Sequence, residues 1–161
     1  FCATLGGNPD QWYLVASDAG YGFQVQLKDL YAKNKAGKAL LTLPKGARVL
    51  GPAMVNDPAT DRVVAITNEG RMLVFPLTEL PVLSRGKGNK IIGIPGKRVE
   101  SRDEYVVAIA AVPEDGKLTA YSGKRHITFK RSDLDAYQGE RGRRGNKLPR
   151  GFQKVDEVVV E

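Results

Sequence analysis

Residues 70–95 read GRMLVFPLTELPVLSRGKGNKIIGIP. The stretch contains, in order, a glycine turn, an apolar strand, an acidic residue beside a leucine, a basic glycine-rich run and an Ile-Pro step. The chain contains the same block twice more. Its landmarks are Gly20, Asp29-Leu30, 33–38 and Leu43-Pro44 in the first copy, and Gly123, Asp133-Leu134, 141–147 and Leu148-Pro149 in the third. Three copies in the same internal order predict three equivalent structural units with their loops on one surface.

The spacing of the copies predicts an all-β, propeller-like fold. Leu30, Leu80 and Leu134 are 50 and 54 residues apart. Short apolar segments alternate with turn residues, and no helical period is sustained. The predicted strands are residues 13–16, 23–27, 40–43 and 49–55, then 62–67, 72–75, 91–94 and 105–112, then 118–121, 126–129, a weak segment near 148, and 155–160. Four strands per unit of about 50 residues are typical of a propeller blade.

Glycines, leucines and prolines at fixed places in the repeat have structural explanations. A glycine that accepts positive φ lets a tight hairpin join the first two strands of each unit. The leucines are expected to anchor a short turn in the core, and the prolines to end the basic loop and remove a backbone donor at a strand edge. The turn glycines are Gly20, Gly70 and Gly123, and the prolines are Pro44, Pro95 and Pro149.

Length and composition indicate one domain over residues 1–161, with approximate blades at 6–56, 60–113 and 116–161. The only cysteine is Cys2, which excludes an internal disulfide and suits a reducing compartment. No apolar run approaches the roughly 18 residues of a membrane span, and the first residues do not show a signal-peptide pattern. We therefore expect a soluble, cytoplasmic protein without membrane contact. The opening residue is Phe1 rather than methionine, which predicts a segment of a longer protein.

Positive charge is concentrated at one phase of the repeat. The windows 33–48, 85–98 and 141–154 total 44 residues, hold 16 of the 25 Lys and Arg residues, and contain no Asp or Glu. The other 117 residues carry 9 basic and 18 acidic side chains. A solvated loop explains one basic run, but three acid-free runs at one phase indicate a surface that attracts a polyanion.

The sequence offers no catalytic or metal-binding set. His126 is the only histidine, and strand alternation places it opposite Ile127 and Phe129, on the exposed face. Nucleophile-elbow, phosphate-loop, zinc-protease and Cys-x-x-Cys motifs are absent. The carboxylates are scattered singly at turns, so no magnesium or acid/base cluster is predicted. We expect no catalytic residue, no metal and no cofactor in this chain.

The basic loops predict binding to a sugar-phosphate backbone. Glycines alternate with cations in residues 85–90 and 141–147, which allows backbone N–H groups and guanidinium forks to approach phosphate oxygens. Aromatic residues for stacking on unpaired bases are few, which favours duplex DNA. The predicted DNA-binding residues are Lys33, Lys35, Lys38, Lys45, Arg48, Arg85, Lys87, Lys90, Lys97, Arg98, Arg141, Arg143, Arg144, Lys147 and Arg150.

Several ordered motifs carry a family resemblance over essentially the whole chain. They are ASDAGYGF (16–23), KAGKAL (35–40), GRMLVFP (70–76), KGNKII (87–92) and GERGRRG (139–145). With these motifs the chain resembles the C-terminal domain of the bacterial DNA topoisomerase IV A subunit, which is related to the C-terminal domain of the DNA gyrase A subunit. The resemblance implies a β-pinwheel whose blades exchange strands, with duplex DNA along its basic rim. The family's domain has more than three blades, so the chain is expected to be its C-terminal part, with about three four-stranded blades.

The resemblance also implies what the domain does within a larger enzyme. In this family the tyrosine nucleophile, the metal-binding carboxylates and the ATPase lie in other domains or in the partner B subunit, so ATP and magnesium belong to a heterotetrameric, ATP-hydrolysing isomerase. The gyrase wrapping box QRRGGKG is absent, and its nearest counterparts are 85–88 and 141–145. This favours capture and bending of duplex DNA for decatenation and supercoil relaxation at the bacterial nucleoid.

Two other binding functions remain open at this stage. A protein-interaction propeller would use its basic rim or its acidic remainder to dock a partner, such as an acidic segregation or chromosome-associated protein. An RNA-binding β-module would prefer single-stranded RNA.

Overall fold

A computed structural model of the chain describes residues 11–26, 46–48, 50, 53–55, 59–80, 82, 88–114, 116–149, 152 and 154–160. Within these residues the chain forms short strands and three single-turn helices. The strands are β1 (Trp12–Ala16), β2 (Tyr21–Gln26), β3 (Ala53–Val55), β4 (Arg62–Thr67), β5 (Arg71–Pro76), β6 (Asn89–Lys90), β7 (Val106–Val112), β8 (Leu118–Ser122), β9 (Arg125–Phe129), β10 (Asn146–Lys147) and β11 (Glu157–Val160). The 3-10 helix is Leu77–Glu79, and the α-helices are Gly96–Glu100 and Arg131–Asp135.

The strands form three antiparallel sheets, which confirms the predicted all-β, propeller-like class. The first sheet has the order β3-β1-β2-β6, the second β10-β5-β4-β7, and the third β11-β8-β9. The central hairpins β1–β2, β4–β5 and β8–β9 turn at the three predicted glycines, whose φ angles are +87°, +75° and +61°. The third sheet shows three strands within the described residues instead of the four expected per blade.

The second sheet lies between the other two, and its strands alternate between two cores. Successive strand residues point to opposite faces, so one set of β4 and β5 side chains packs with the first sheet and the other set with the third. The set facing the first sheet is Val63, Ala65, Leu73 and Phe75, which cluster with Leu14 and Val55. The set facing the third is Val64, Ile66, Met72 and Val74, which cluster with Leu118 and Ala120.

In the described residues, a short strand passes from the second unit to the sheet of the first, and another from the third unit to the sheet of the second. β6 belongs in sequence to the second unit but pairs with β2, and β10 of the third unit pairs with β5. Lys90 is in register with Tyr21, and Lys147 is in register with Arg71. This is the strand exchange that the resemblance implied.

The predicted strand at residues 91–94 was wrong by a few residues. The strand is Asn89–Lys90, and Ile91, Ile92 and Ile94 follow it as irregular backbone. These isoleucines are 1%, 0% and 4% exposed because they cover the tip of the β1–β2 hairpin, where Ile91 N donates to Gly20 O at 2.6 Å. The segment near Leu148 behaves in the same way, with Leu148 N donating to Gly70 O at 2.7 Å. The apolar pattern predicted a strand because a buried irregular segment has the same run of apolar residues.

The turns at Leu80 and Leu134 confirm the predicted anchors, whereas Leu30 lies outside the described residues. The 3-10 helix ends beside Leu80, the Arg131–Asp135 helix contains Leu134, and both leucines are buried. The prediction that Pro95 blocks a strand edge was wrong: Pro95 is the N-cap of the Gly96–Glu100 helix, and Val99 N donates to Pro95 O at 3.2 Å. Pro44 lies outside the described residues. None of the helices in the described part of the chain is long and apolar enough to cross a membrane.

Candidate nucleic-acid interface

The strand exchange depends on a Gly-Asn-Lys sequence that occurs at residues 88–90 and 145–147. Gly88 and Gly145 precede the two exchanged strands with φ angles of +81° and +76°. A Cβ atom on Gly88 would lie 2.2 Å from Gly22 O, and one on Gly145 would lie 2.5 Å from Met72 O. Glycine is therefore required here for backbone packing, a function that the sequence analysis did not include when it assigned the loop glycines to phosphate approach.

The second and third basic loops lie side by side. Gly93 N donates to Arg143 O at 2.7 Å, and Gly142 N donates to Ile91 O at 2.9 Å. Arg141 Nη1 donates to Lys90 O at 2.8 Å. These bonds join segments about fifty positions apart in the chain, as the repeat spacing requires. They place Lys90 and the guanidinium groups of the third loop on one surface.

The described part of the first basic window adjoins the same surface. A Cβ atom on Gly46 would lie 2.8 Å from Glu100 Cα, at the end of the helix that carries Lys97 and Arg98. Arg48 is exposed, and its backbone N–H donates to Asp18 Oδ1 at 2.8 Å. We define the basic face by its described cations, which are Arg48, Lys90, Lys97, Arg98, Arg141, Arg143, Arg144 and Lys147. The other predicted DNA-binding residues, Lys33, Lys35, Lys38, Lys45, Arg85, Lys87 and Arg150, lie outside the described residues.

Some cations of the basic face have no carboxylate partner among the described residues. The ion pairs found there leave Arg48, Lys90, Lys97, Arg141 and Lys147 uncompensated. Arg143 pairs with Glu140 at 3.0 Å, but both side chains are more than 70% exposed, at 73% and 79%. An exposed pair within one loop contributes little and exchanges readily. These six side chains therefore keep their charge available to an anion.

Arg98 and Arg144 have different surroundings. Arg98 Nε lies 3.2 Å from Glu104 Oε2, and Arg144 Nη1 donates to the same oxygen at 2.9 Å. The Glu104 side chain is only 1% exposed. Both arginines also pair with Glu69, which lies at the β4–β5 turn. We call these four residues the Glu104 cluster. Sequence reasoning placed Arg98 and Arg144 on the DNA-binding face without these partners.

The structure adds cations that the sequence analysis left out. Arg71 is in register with Lys147, and its Nη1 donates to Gly145 O at 3.3 Å. Lys124 and Arg125 follow Gly123 at the third hairpin tip, as Arg71 follows Gly70 at the second, and both are exposed. The missed signal is a basic residue directly after the turn glycine. At the second tip, the exchanged strand β10 brings Lys147 beside Arg71.

Titratable groups away from the basic face show little that suggests catalysis. His126 is exposed as predicted, and its ring lies 5.9 Å from that of Tyr121. Across the described residues, no group of three or more His, Cys, Asp or Glu side chains is arranged to hold a metal ion.

Tyr137 supplies a pH-dependent contribution to stability. Its ring packs edge-on against Phe129 at 5.7 Å, and burial, followed by the charge of Asp133, raises the pKa of Tyr137 above its ordinary 10.0. The folded chain thus keeps this proton to higher pH than the unfolded chain. The resulting stabilisation is complete below about pH 10 and is lost as the pH rises through the raised pKa. Urea unfolding across alkaline pH should show a steeper loss in the wild type than in Tyr137→Phe, and equal slopes would contradict this explanation.

The sequence model of the DNA gyrase C-terminal domain, a beta-propeller, matches residues 11–56 and 61–113. The chain belongs to the DNA gyrase C-terminal domain family. Two relatives of this family member are the A subunits of DNA topoisomerase 4 from Pseudomonas aeruginosa, 56% identical over 100% of the chain, and from Haemophilus influenzae, 50% identical over 93%. The chain spans about a fifth of their length, 21% and 20% respectively.

Solved structures agree with this membership. The E. coli ParC C-terminal domain superposes with a TM-score of 0.87 at 46% identity, covering 98% of the chain and 63% of that structure. A DNA gyrase A C-terminal domain, at 16% identity, superposes with a TM-score of 0.72 over 96% of the chain and 50% of that structure, which supports the fold alone. The resemblance to the C-terminal domain of the topoisomerase IV A subunit is confirmed.

Proposed function

We propose that this chain is the DNA-binding and DNA-bending domain of a topoisomerase IV A subunit, without a catalytic centre of its own. It captures duplex DNA for decatenation and supercoil relaxation by the holoenzyme, in which the core of the same polypeptide and the ATPase of the B subunit use ATP and magnesium. On this proposal the parent protein is a heterotetramer in the bacterial cytoplasm, associated with the nucleoid. Support comes from the relatives, which are A subunits of DNA topoisomerase 4, and from the basic face.

The adjacency of the loops is the observation that carries the DNA-binding proposal. Lys90, Lys97, Arg141 and Lys147 project from neighbouring segments, and no described carboxylate neutralises them. Uncompensated cations on neighbouring segments attract a phosphate backbone, and their binding releases its condensed counterions. The loops at 88–98 and 139–149 contain no aromatic residue, so they provide no stacking platform for single strands.

Salt dependence tests the proposal directly. Contacts to about six to eight phosphates predict a slope of about −5 to −7 for log K against log salt, with little dependence on sequence. Arg141→Gln should make the slope shallower by about 0.9, the share of one phosphate contact. Lys117→Gln serves as the matched control. Lys117 is exposed just before β8, at the opposite end of the third hairpin from its turn.

The measurement is fluorescence anisotropy with a labelled duplex, repeated with single-stranded RNA of equal length. A slope near zero, or tighter binding of the RNA, would reject duplex DNA as the ligand. An equal change of slope in both variants would reject the basic face as its site.

A further inference from the structure

The Glu104 cluster joins three separate segments at the boundary between the second and third units. Glu69 comes from the β4–β5 turn, Arg98 from the Gly96–Glu100 helix, and Arg144 from the third basic loop. Glu104 lies at their centre with its side chain 1% exposed. A buried carboxylate is stable only when it is paired, and removal of one partner of a buried pair is strongly destabilising. The stability of the fold therefore depends on the pairing of Glu104 with Arg98 and Arg144.

Arg144 is fixed at more than one point. Its Nη1 donates to Glu104 Oε2 at 2.9 Å and to Gly93 O at 3.1 Å. Its neighbours in the chain make the loop-to-loop backbone bonds, from Gly93 N to Arg143 O and from Gly142 N to Ile91 O. The charged contact and the backbone contacts thus hold the same stretch of the third loop against the second unit.

We infer that Glu104 is a positioning residue of the DNA interface. Its carboxylate fastens the third basic loop to the second unit, and it commits Arg98 and Arg144 to internal pairing, so that phosphate contacts are made by the uncompensated cations beside them. This inference rests on the proposed function for its consequence in DNA binding. The fastening itself is a property of the fold and is open to test without DNA.

The inference predicts an effect opposite in sign to simple electrostatics. Removing a negative charge near a DNA-binding face ordinarily strengthens binding. Glu104→Gln should instead weaken it, because the loop that carries Arg141 and Arg143 loses its anchor. Loss of one phosphate contact corresponds to about a tenfold weaker affinity at about 0.1 M salt.

Glu140→Gln is the matched control for Glu104→Gln. It removes the same charge from the third loop itself, but Glu140 is 79% exposed and pairs only with Arg143 of that loop among the described residues. The duplex affinity of Glu140→Gln should equal or exceed that of the wild type. Tighter binding by Glu104→Gln, as for Glu140→Gln, would overturn the positioning function. Affinities are measured on the full chain, well below each variant's own unfolding midpoint.

A charge-conserving substitution covers the case in which Glu104→Gln does not fold. Arg144→Lys keeps the charge but loses the guanidinium group, whose Nη1 donates to both Gly93 O and Glu104 Oε2 and whose Nη2 lies 3.9 Å from Glu69 Oε2. It should bind duplex DNA about three- to tenfold more weakly, within the value of one phosphate contact. Arg131→Lys, at a side chain that is 59% exposed and pairs with Glu114 outside the basic face, should remain within about twofold of the wild type. Equal affinities for the two lysine variants would overturn the inference.

Amide hydrogen exchange separates this inference from the proposed function. The amides of Gly93 and Gly142 bridge the loops, so they should exchange faster in Glu104→Gln and Arg144→Lys than in the wild type and the two control variants. Unchanged exchange would refute the fastening, whatever the DNA result. Faster exchange in a chain that binds no DNA would support the fastening and refute the proposed function.

Discussion

Charge reversal at Lys97, Arg143 and Lys147 is expected to weaken duplex DNA binding by about a thousandfold at about 0.1 M salt, since each lost phosphate contact costs nearly tenfold there. All three side chains are exposed and lie on adjoining segments of the basic face. Exposed charges contribute little to stability, so the unfolding midpoint should change only slightly. Titration of a labelled duplex by anisotropy, together with thermal unfolding, measures both effects.

The choice of residues in this experiment follows from the Glu104 cluster. Sequence reasoning alone would reverse the neighbouring Arg144, but a carboxylate there would meet Glu104, which is 1% exposed, and would destabilise the fold. A triple reversal at Lys117, Lys130 and Arg131 has the same net charge, and all three side chains are exposed at the other end of the third hairpin from its turn. If that variant lost as much affinity as the first, net charge rather than the basic face would control binding.

Gly88→Ala is expected to destabilise the fold by about 3 kcal/mol or more, which combines strain at positive φ with a steric clash. The added Cβ atom would lie 2.2 Å from Gly22 O. Because the atoms it meets belong to the backbone of Gly22, no side chain can move to relieve the clash. Gly145→Ala should behave similarly, since its Cβ atom would lie 2.5 Å from Met72 O. Both substitutions act on the exchanged strands.

Gly96→Ala provides the control for the glycine series. No atom lies within 4 Å of a Cβ atom built there, and Gly96 begins a helix. Its stability should change by no more than about 0.5 kcal/mol. Urea unfolding monitored by circular dichroism gives the comparison. Similar midpoints for all three variants would show that the crossings tolerate a side chain and that the glycines recur in the repeat for another reason.

Much of the fold could be predicted because its signals are local. A turn glycine between two apolar strands predicts a hairpin from adjacent residues, and Gly20, Gly70 and Gly123 all have positive φ. The buried leucines Leu80 and Leu134 follow from the same reasoning. The strand predicted at 91–94 failed because burial of Ile91 and Ile92 comes from a neighbouring hairpin tip, a contact that no local pattern records.

The candidate site was predictable in its loops and not in its pairing. Acid-free basic windows marked residues 85–98 and 141–154, and the structure brings their described parts together. The different bonding partners of Arg141 and Arg144 were not predictable from the sequence. The two arginines are three positions apart, yet one donates to the carbonyl oxygen of Lys90 and the other to a buried carboxylate forty positions away.

The sequence by itself determined the number of repeats, the class of secondary structure, the positions of the turns and the phase of the positive charge, because each depends on residues close together in the chain. Only the tertiary structure decided which cations remain uncompensated. The exchanged strands bring Lys90 beside Tyr21 and Lys147 beside Arg71, and burial of Glu104 decides that Arg144 is paired. Those outcomes depend on distances between segments about fifty residues apart, which the fold sets through packing and the exclusion of water.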